Sequence, residues 1–149
     1  MCLSTITKEF PKQGSGKAYK IFRLINDKIR FPFIEWQSQP QGTTTENTVN
    51  YNQWLTAENR TVNYGEIEYL SGFHLFANLE DAQQIAILLN AGDEEFRKRY
   101  PKYTTQIIIC ECDYDEKMYA GTQVMGYDSV ARDVIVANKI KINPPCITL

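Results

Sequence analysis

The sequence lacks any apolar run approaching the roughly 18 residues needed to span a bilayer. Its opening, Met1-Cys2-Leu3-Ser4-Thr5-Ile6-Thr7, has neither the basic region nor the apolar region of a secretory signal, so a cytoplasmic protein is expected. An excess of either charge is also missing. Sixteen Lys plus Arg stand against 18 Asp plus Glu, and the net charge of −2 supplies no global field toward nucleic acid or an anionic membrane. Cysteine is sparse: Cys2, Cys110, Cys112 and Cys146 are the four in the chain. In a reducing cytosol they are expected as thiols rather than as a disulfide framework. Asn59-Arg60-Thr61 matches a glycosylation sequon, which carries no meaning without secretion.

What remains is the composition of an ordinary folded domain. Hydrophobic residues make up 43% and charged residues 23%, far from the signature of disorder, and 149 residues suit one domain spanning 1–149. No internal repeat occurs, and the one biased stretch is the polar run from Gln37 to Asn50.

Periodicity then orders the chain. Residues 12–17 read as a flexible loop, after which 18–25 alternate apolar and polar side chains as a half-buried strand does, with Tyr19, Ile21 and Phe22 as core candidates. Asn26-Asp27 offers a hairpin turn into 28–31, and Pro32 ends that strand or places it at an edge. Residues 37–63 are poor in aliphatics and form a long excursion anchored by Trp36, Tyr51 and Trp54. Then come an extended 66–69, a Ser71-Gly72 turn, a short Phe73–Phe76 strand and a helix opened by Asn78. Ala82, Ile85, Ala86 and Leu89 fall on one face of that helix, and Ala91-Gly92 is expected to stop it, giving Leu79 to Asn90. The cluster 93–99, acid first and base last, reads as a solvated helical turn ending at Pro101. Residues 105–113 carry apolar side chains on both faces, as a covered central strand does. A loop bearing Gly121 and Gly126 follows, and 130–142 read as two strands or one bulged strand with a phase change near Ala137-Asn138. The expected class is α+β, a mostly antiparallel sheet packed against one main helix.

Several chemistries compete for these residues. Gly14-Ser15-Gly16-Lys17 looks superficially like a phosphate loop, but the upstream glycine is missing, Ala18 stands where Ser or Thr belongs, and a strand follows instead of a helix. Cys110 and Cys112 would point the same way from a strand, yet their spacing does not match familiar zinc modules, and buried strand thiols usually act as small hydrophobes, so no metal or other cofactor is expected. Removal of Met1 would leave Cys2 with a free amine beside its thiol, a known nucleophile arrangement, with His74, the one imidazole, as its helper. An ADP-ribosyltransferase-like reading would assign NAD to Arg23, the His74 strand and Gln123. Binding without catalysis needs fewer coincidences. Trp36, Tyr51, Trp54, Tyr64, His74, Tyr119 and Tyr127 form the candidate surface, on the 37–64 excursion and a loop expected from Tyr114 to Tyr127.

Three segments together resemble a group of small uncharacterised phage and prophage proteins: Met1-Cys2-Leu3-Ser4-Thr5, then Gly72-Phe73-His74-Leu75-Phe76 followed at once by a helix with Asp81-Ala82, and the late 130–142 strand region. The resemblance touches about a third of the chain. It implies an accessory role in infection, such as blocking a host factor or sequestering a small molecule, and gives no residue a role. The expected function is therefore a binding or inhibitory accessory protein with a protein or small-molecule partner, homodimerisation being one option. The alternative is a small enzyme working through NAD or through Cys2.

Overall fold

The computed structural model describes residues 3–31, 49–102, 105–125 and 128–149. Among them lie nine strands and one helix: β1 (Thr5–Glu9), β2 (Gly16–Ile25), β3 (Lys28–Arg30), β4 (Trp54–Thr56), β5 (Thr61–Tyr64), β6 (Ile67–Leu70), β7 (Phe73–Phe76), α1 (Leu79–Arg99), β8 (Thr105–Val124) and β9 (Ala131–Thr148). The fold is α+β and dominated by antiparallel sheet, as expected. The main sheet runs β1-β8-β2-β7-β9-β4, with β3 on β2, and β5 pairs with β6 separately. β8 also pairs with β9, so β2, β8, β9 and β7 form a closed ring whose last link is the single Tyr19–Phe76 pair.

The hairpin between β2 and β3 turns at Asn26-Asp27, both at positive φ (51° and 64°), the backbone of a two-residue turn that matches strand twist. Alternation along β2 then sends Ala18 and Phe22 to one face of the sheet and Tyr19 and Ile21 to the other. Each face carries its own core. One is built from Phe22, Phe73, Leu75, Ile108, Cys110, Cys112, Ile140 and Ile142. The other lies under α1, where Ala82, Ile85, Ala86 and Leu89 meet Ile21, Ile107, Ile109, Val134 and Val136. Burying an Ile or Leu side chain contributes about 1.5–3 kcal/mol, which makes this stripe the main tie of helix to sheet.

Three expectations need correction. The helix does not stop at Ala91-Gly92 but runs to Arg99. Gly92 has open space around its Cα, and its cost within a helix is about 1 kcal/mol, small enough to be offset. The offset comes from Asp93, which accepts two hydrogen bonds of 2.7 Å from Arg23 on β2, and from the acid-first, base-last charge order of α1. The second correction concerns the loop expected from Tyr114 to Tyr127: β8 continues as strand to Val124, so Tyr114 and Tyr119 are strand residues. Its charged run 115–117 reads as loop but pairs along β9, and a register shift between Lys117 and Tyr119 moves the inward phase from Cys110, Cys112, Tyr114 and Met118 to Gly121 and Gln123. The third is the cysteine assignment: Cys110 and Cys146 form a disulfide, and Cys112 is the free thiol among the described residues.

Of the two readings for 130–142, one continuous strand is observed. Ile135 and Ala137 share a core with Ile140 and Ile142, so the facing set shifts by one residue at Asn138-Lys139. The N-terminal strand β1 seats against β8 at Gly121, where a Cβ would run into the Thr5 carbonyl. No side chain of α1 beyond Leu89 is buried, so polar ties hold the C-terminal half of the helix: the short Arg23–Asp93 pair first, then the longer bonds of 3.3 and 3.4 Å that Arg97 donates to Thr105. Asp93→Ala is therefore expected to cost roughly 1–3 kcal/mol in urea unfolding and to raise amide exchange in 91–99 first; a loss within about 0.5 kcal/mol would show that the pair does not hold the helix.

Candidate functional site

A groove of about 420 Å³ opens where the starts of β2 and β4 approach the middle of β8; Ser15, Gly16, Lys17, Trp54, Asp113, Tyr114 and Asp115 line it. The register explains the grouping. Lys17 on β2 and Lys141 on β9 both stand opposite Asp113 on β8, Lys139 stands opposite Asp115, and Trp54 on β4 stands opposite Lys141. Because Cys110, Cys112 and Tyr114 turn inward, Glu111, Asp113 and Asp115 are forced outward as a row of carboxylates between lysine-bearing neighbours. Gly16 lets the Tyr114 ring rise to the groove floor, since a Cβ there would lie 2.6 Å from the tyrosine hydroxyl.

Charge around Asp113 is paired. Lys17 Nζ donates to Asp113 Oδ1 at 2.7 Å and lies 3.6 Å from Glu111, while Lys141 Nζ lies 3.4 Å from Asp113 Oδ2. Lys141 also sits 5.3 Å from the centroid of the Trp54 ring, a cation over an aromatic face. The Lys17 ammonium holds the Asp113 carboxyl below the ordinary carboxylate range, and the same hydrogen bond raises Lys17. A depressed carboxylate stays ionised at neutral pH and is a poor proton donor, so the arrangement suits contact rather than general acid catalysis. Its contribution to stability is present above the unfolded carboxylate pKa and is lost as pH falls through the depressed value. Trp54 is 49% exposed, a large ring standing beside a polar rim.

The other candidates are dispersed. Tyr51, exposed, borders a separate hollow of about 280 Å³ with Leu24, Ile29 and Val49. Tyr64, also exposed, precedes Gly65 (φ 62°) at the turn of the β5–β6 hairpin. His74 is buried under α1, and its Nδ1 lies 3.2 Å from Oε1 of Gln123, itself buried. Around it Tyr69 stacks edge-on with Tyr119; the Tyr69 hydroxyl accepts the Leu3 N–H and the Tyr119 hydroxyl accepts the Leu70 N–H. The first bond ties Leu3 to β6 and the second ties the end of β6 to β8. The structure thus brings His74 to Gln123 but places Arg23 on Asp93. Cys2, Trp36 and Tyr127 lie outside the described residues.

The sequence alone does not pair the cysteines, because Cys146 lies 36 positions from Cys110, beyond the expected end of the last strand. Pairing of β8 with β9 runs on past that point, joining Glu111 to Asn143 and Ile109 to Ile147, and this sets Cys146 beside Cys110. Only knowledge of the full strand length would have exposed the partnership. The disulfide takes Cys110 out of any thiolate metal site, and among the described residues no cluster of three or more His, Cys, Asp or Glu side chains is placed to hold a metal ion. It also removes the premise that every cysteine is a reduced thiol. Among the described residues no helix is long and apolar enough to cross a membrane.

Burial pushes the Cys112 thiol up to about 12. Since the thiolate is the nucleophile, the folded protein is expected to resist iodoacetamide at Cys112 from pH 7 to 9 and to react in urea at least about tenfold faster. Equal rates in the two conditions, read by mass spectrometry of the peptide, would show that the thiol is accessible. No family model, no curated protein and no solved structure matches the chain.

Proposed function

We propose that this chain is a non-catalytic binding protein of accessory or inhibitory type that engages a partner protein through the groove around Trp54. The observation that carries the reading is the half-exposed Trp54 ring standing beside the paired charges of Lys17, Asp113 and Lys141. Tryptophan is the residue most enriched among interface hot spots, and a rim of paired charges fixes register and partner choice around such an anchor. The groove is shallow in chemistry for a reaction: Lys17 holds the Asp113 carboxyl below the ordinary carboxylate range, and the imidazole and Gln123 are buried elsewhere. A protein surface fits better than a small ligand, because the ring projects from the edge strand β4 rather than lining an enclosed chamber.

The resemblance to small phage and prophage proteins supports a host protein as the partner. The test uses a host protein captured with the full chain, then purified and titrated by calorimetry. Trp54→Ala is expected to weaken its affinity at least about tenfold, which is about 1.4 kcal/mol, while Ile87→Ser on the exposed face of α1 leaves it unchanged. Wild-type affinity in Trp54→Ala rejects the groove as the contact surface.

A further inference from the structure

Residues 146–149 at the end of β9 are held unlike the other described strand ends. Between the pairs Ile109–Ile147 and Glu111–Asn143, β8 contributes Cys110 alone while β9 contributes Pro144, Pro145 and Cys146. Neither proline has an N–H to donate, so the ladder is interrupted here. The Cys110–Cys146 bond bridges that gap. Past it, Ile147 and Thr148 pair with Ile109 and Ile108, and the Leu149 N–H donates to the Ile107 carbonyl at 3.2 Å. This tail buries little: Ile147 and Leu149 are 43% and 42% exposed, and Thr148 is exposed too. The strand it covers is the opposite case, with Ile107, Ile108 and Ile109 all within 1% of full burial.

We propose that the Cys110–Cys146 disulfide is a redox latch whose reduction releases the tail 146–149 and converts β8 at Ile107–Ile109 into an open sheet edge. With the bond intact, the tail is tethered next to its partner and a few backbone hydrogen bonds suffice to keep it paired. Without it, a short exposed strand end behind two prolines has too little apolar burial to offset its ordering entropy. Release also removes one wall of a cavity of about 300 Å³ in which Pro144, Pro145 and Ile147 face Tyr19, Leu79 and Ile109. The freed N–H and C=O groups beside Ile107 and Ile109 then form the kind of row that accepts an added strand.

The reductant class is a dithiol. Its thiolate attacks Sγ of Cys146, the less buried sulfur; the Cys110–Cys146 bond breaks and Cys110 leaves as a thiolate that takes up a proton. The second thiol of the reductant then displaces Cys146 from the mixed disulfide. The reductant ends as a disulfide and both cysteines end as thiols, a balanced two-electron exchange. Cys112, two residues from Cys110 and buried, stays a neutral spectator.

The experiment is amide hydrogen exchange on the full chain, oxidised and after dithiothreitol, with thiols counted by mass spectrometry, and on untreated Cys146→Ser. The expected result is exchange at least about tenfold faster in 107–109 and 147–149, with the amides of β2, β7 and α1 unchanged, in both the reduced wild type and the variant. Where Cys146→Ser fails to fold, the reduced wild type decides. Unchanged exchange in 107–109 after confirmed reduction overturns the latch, as does acceleration spread evenly over the whole sheet, or a purified protein whose Cys110 and Cys146 are both free thiols.

Discussion

Backbone pairing between β8 and β9 runs from Ile108–Thr148 to Val124–Ala131, and the rest of the main sheet hangs on it. β1 and β2 attach to β8, β4 and β7 attach to β9, and β3 reaches the ladder through β2. Two strands of 20 and 18 residues are long for a chain of 149, and such length is stable only if twist and phase are adjusted along it. The adjustments are visible at Met118, at Asn138-Lys139 and at Pro144-Pro145. Each lets the same pair of strands serve a different neighbour on either side of the irregularity. Without the shift between Lys117 and Tyr119, Gln123 would not face His74, and β1 would not find Gly121 beneath Thr5.

The same ladder creates the candidate contact surface. Inward placement of Cys110, Cys112 and Tyr114 dictates that Glu111, Asp113 and Asp115 face out, and antiparallel register brings Lys17, Lys139 and Lys141 alongside them. Exposed pairs of this kind contribute little stability individually, about 0–1 kcal/mol each, so their arrangement matters more for what approaches the surface than for holding the fold. Trp54 enters the same neighbourhood because the short β4 pairs with β9 at Lys141. There the ring is half-exposed and carries the Lys141 ammonium over its face, so an apolar anchor and a charged rim share one patch of surface.

Legibility in the sequence divided along local and non-local lines. The helix face Ala82, Ile85, Ala86 and Leu89, the Asn26-Asp27 turn and the Phe73–Phe76 strand are set by neighbours within a few positions, and all three were readable. The helix runs through Gly92 because the force that overrides a stop there comes from Arg23 on Asp93, seventy positions apart in the chain. The strand 114–124 is hidden because alternation breaks at the bulge and because charged residues there are paired across strands rather than solvated in a loop. Binding candidates chosen by residue type mixed two populations. His74 and Tyr119 are structural, one buried against Gln123 and the other bonded to the Leu70 amide, whereas Trp54, Tyr51 and Tyr64 reach the surface. Burial, which separates them, is a property of the assembled sheet.

The cysteines carry that point furthest. Composition offered a compartment argument for thiols, while geometry offers a local one for a bond, and the two concern different quantities: the redox poise of a solution and the proximity of two sulfurs. Proximity here is enforced by the ladder, which delivers Cys146 to Cys110 only after a three-residue detour through Pro144-Pro145. A detour that forfeits backbone hydrogen bonds is unfavourable on its own, and the covalent link restores the tail to its register on Ile107–Ile109. Stability of this end of the sheet is thereby transferred from hydrogen bonds, which respond to temperature and solvent, to a single bond that responds to electron donors. A strand end so built stays shut or opens according to the redox poise around it, even though the two cores on either face of the sheet remain as they were.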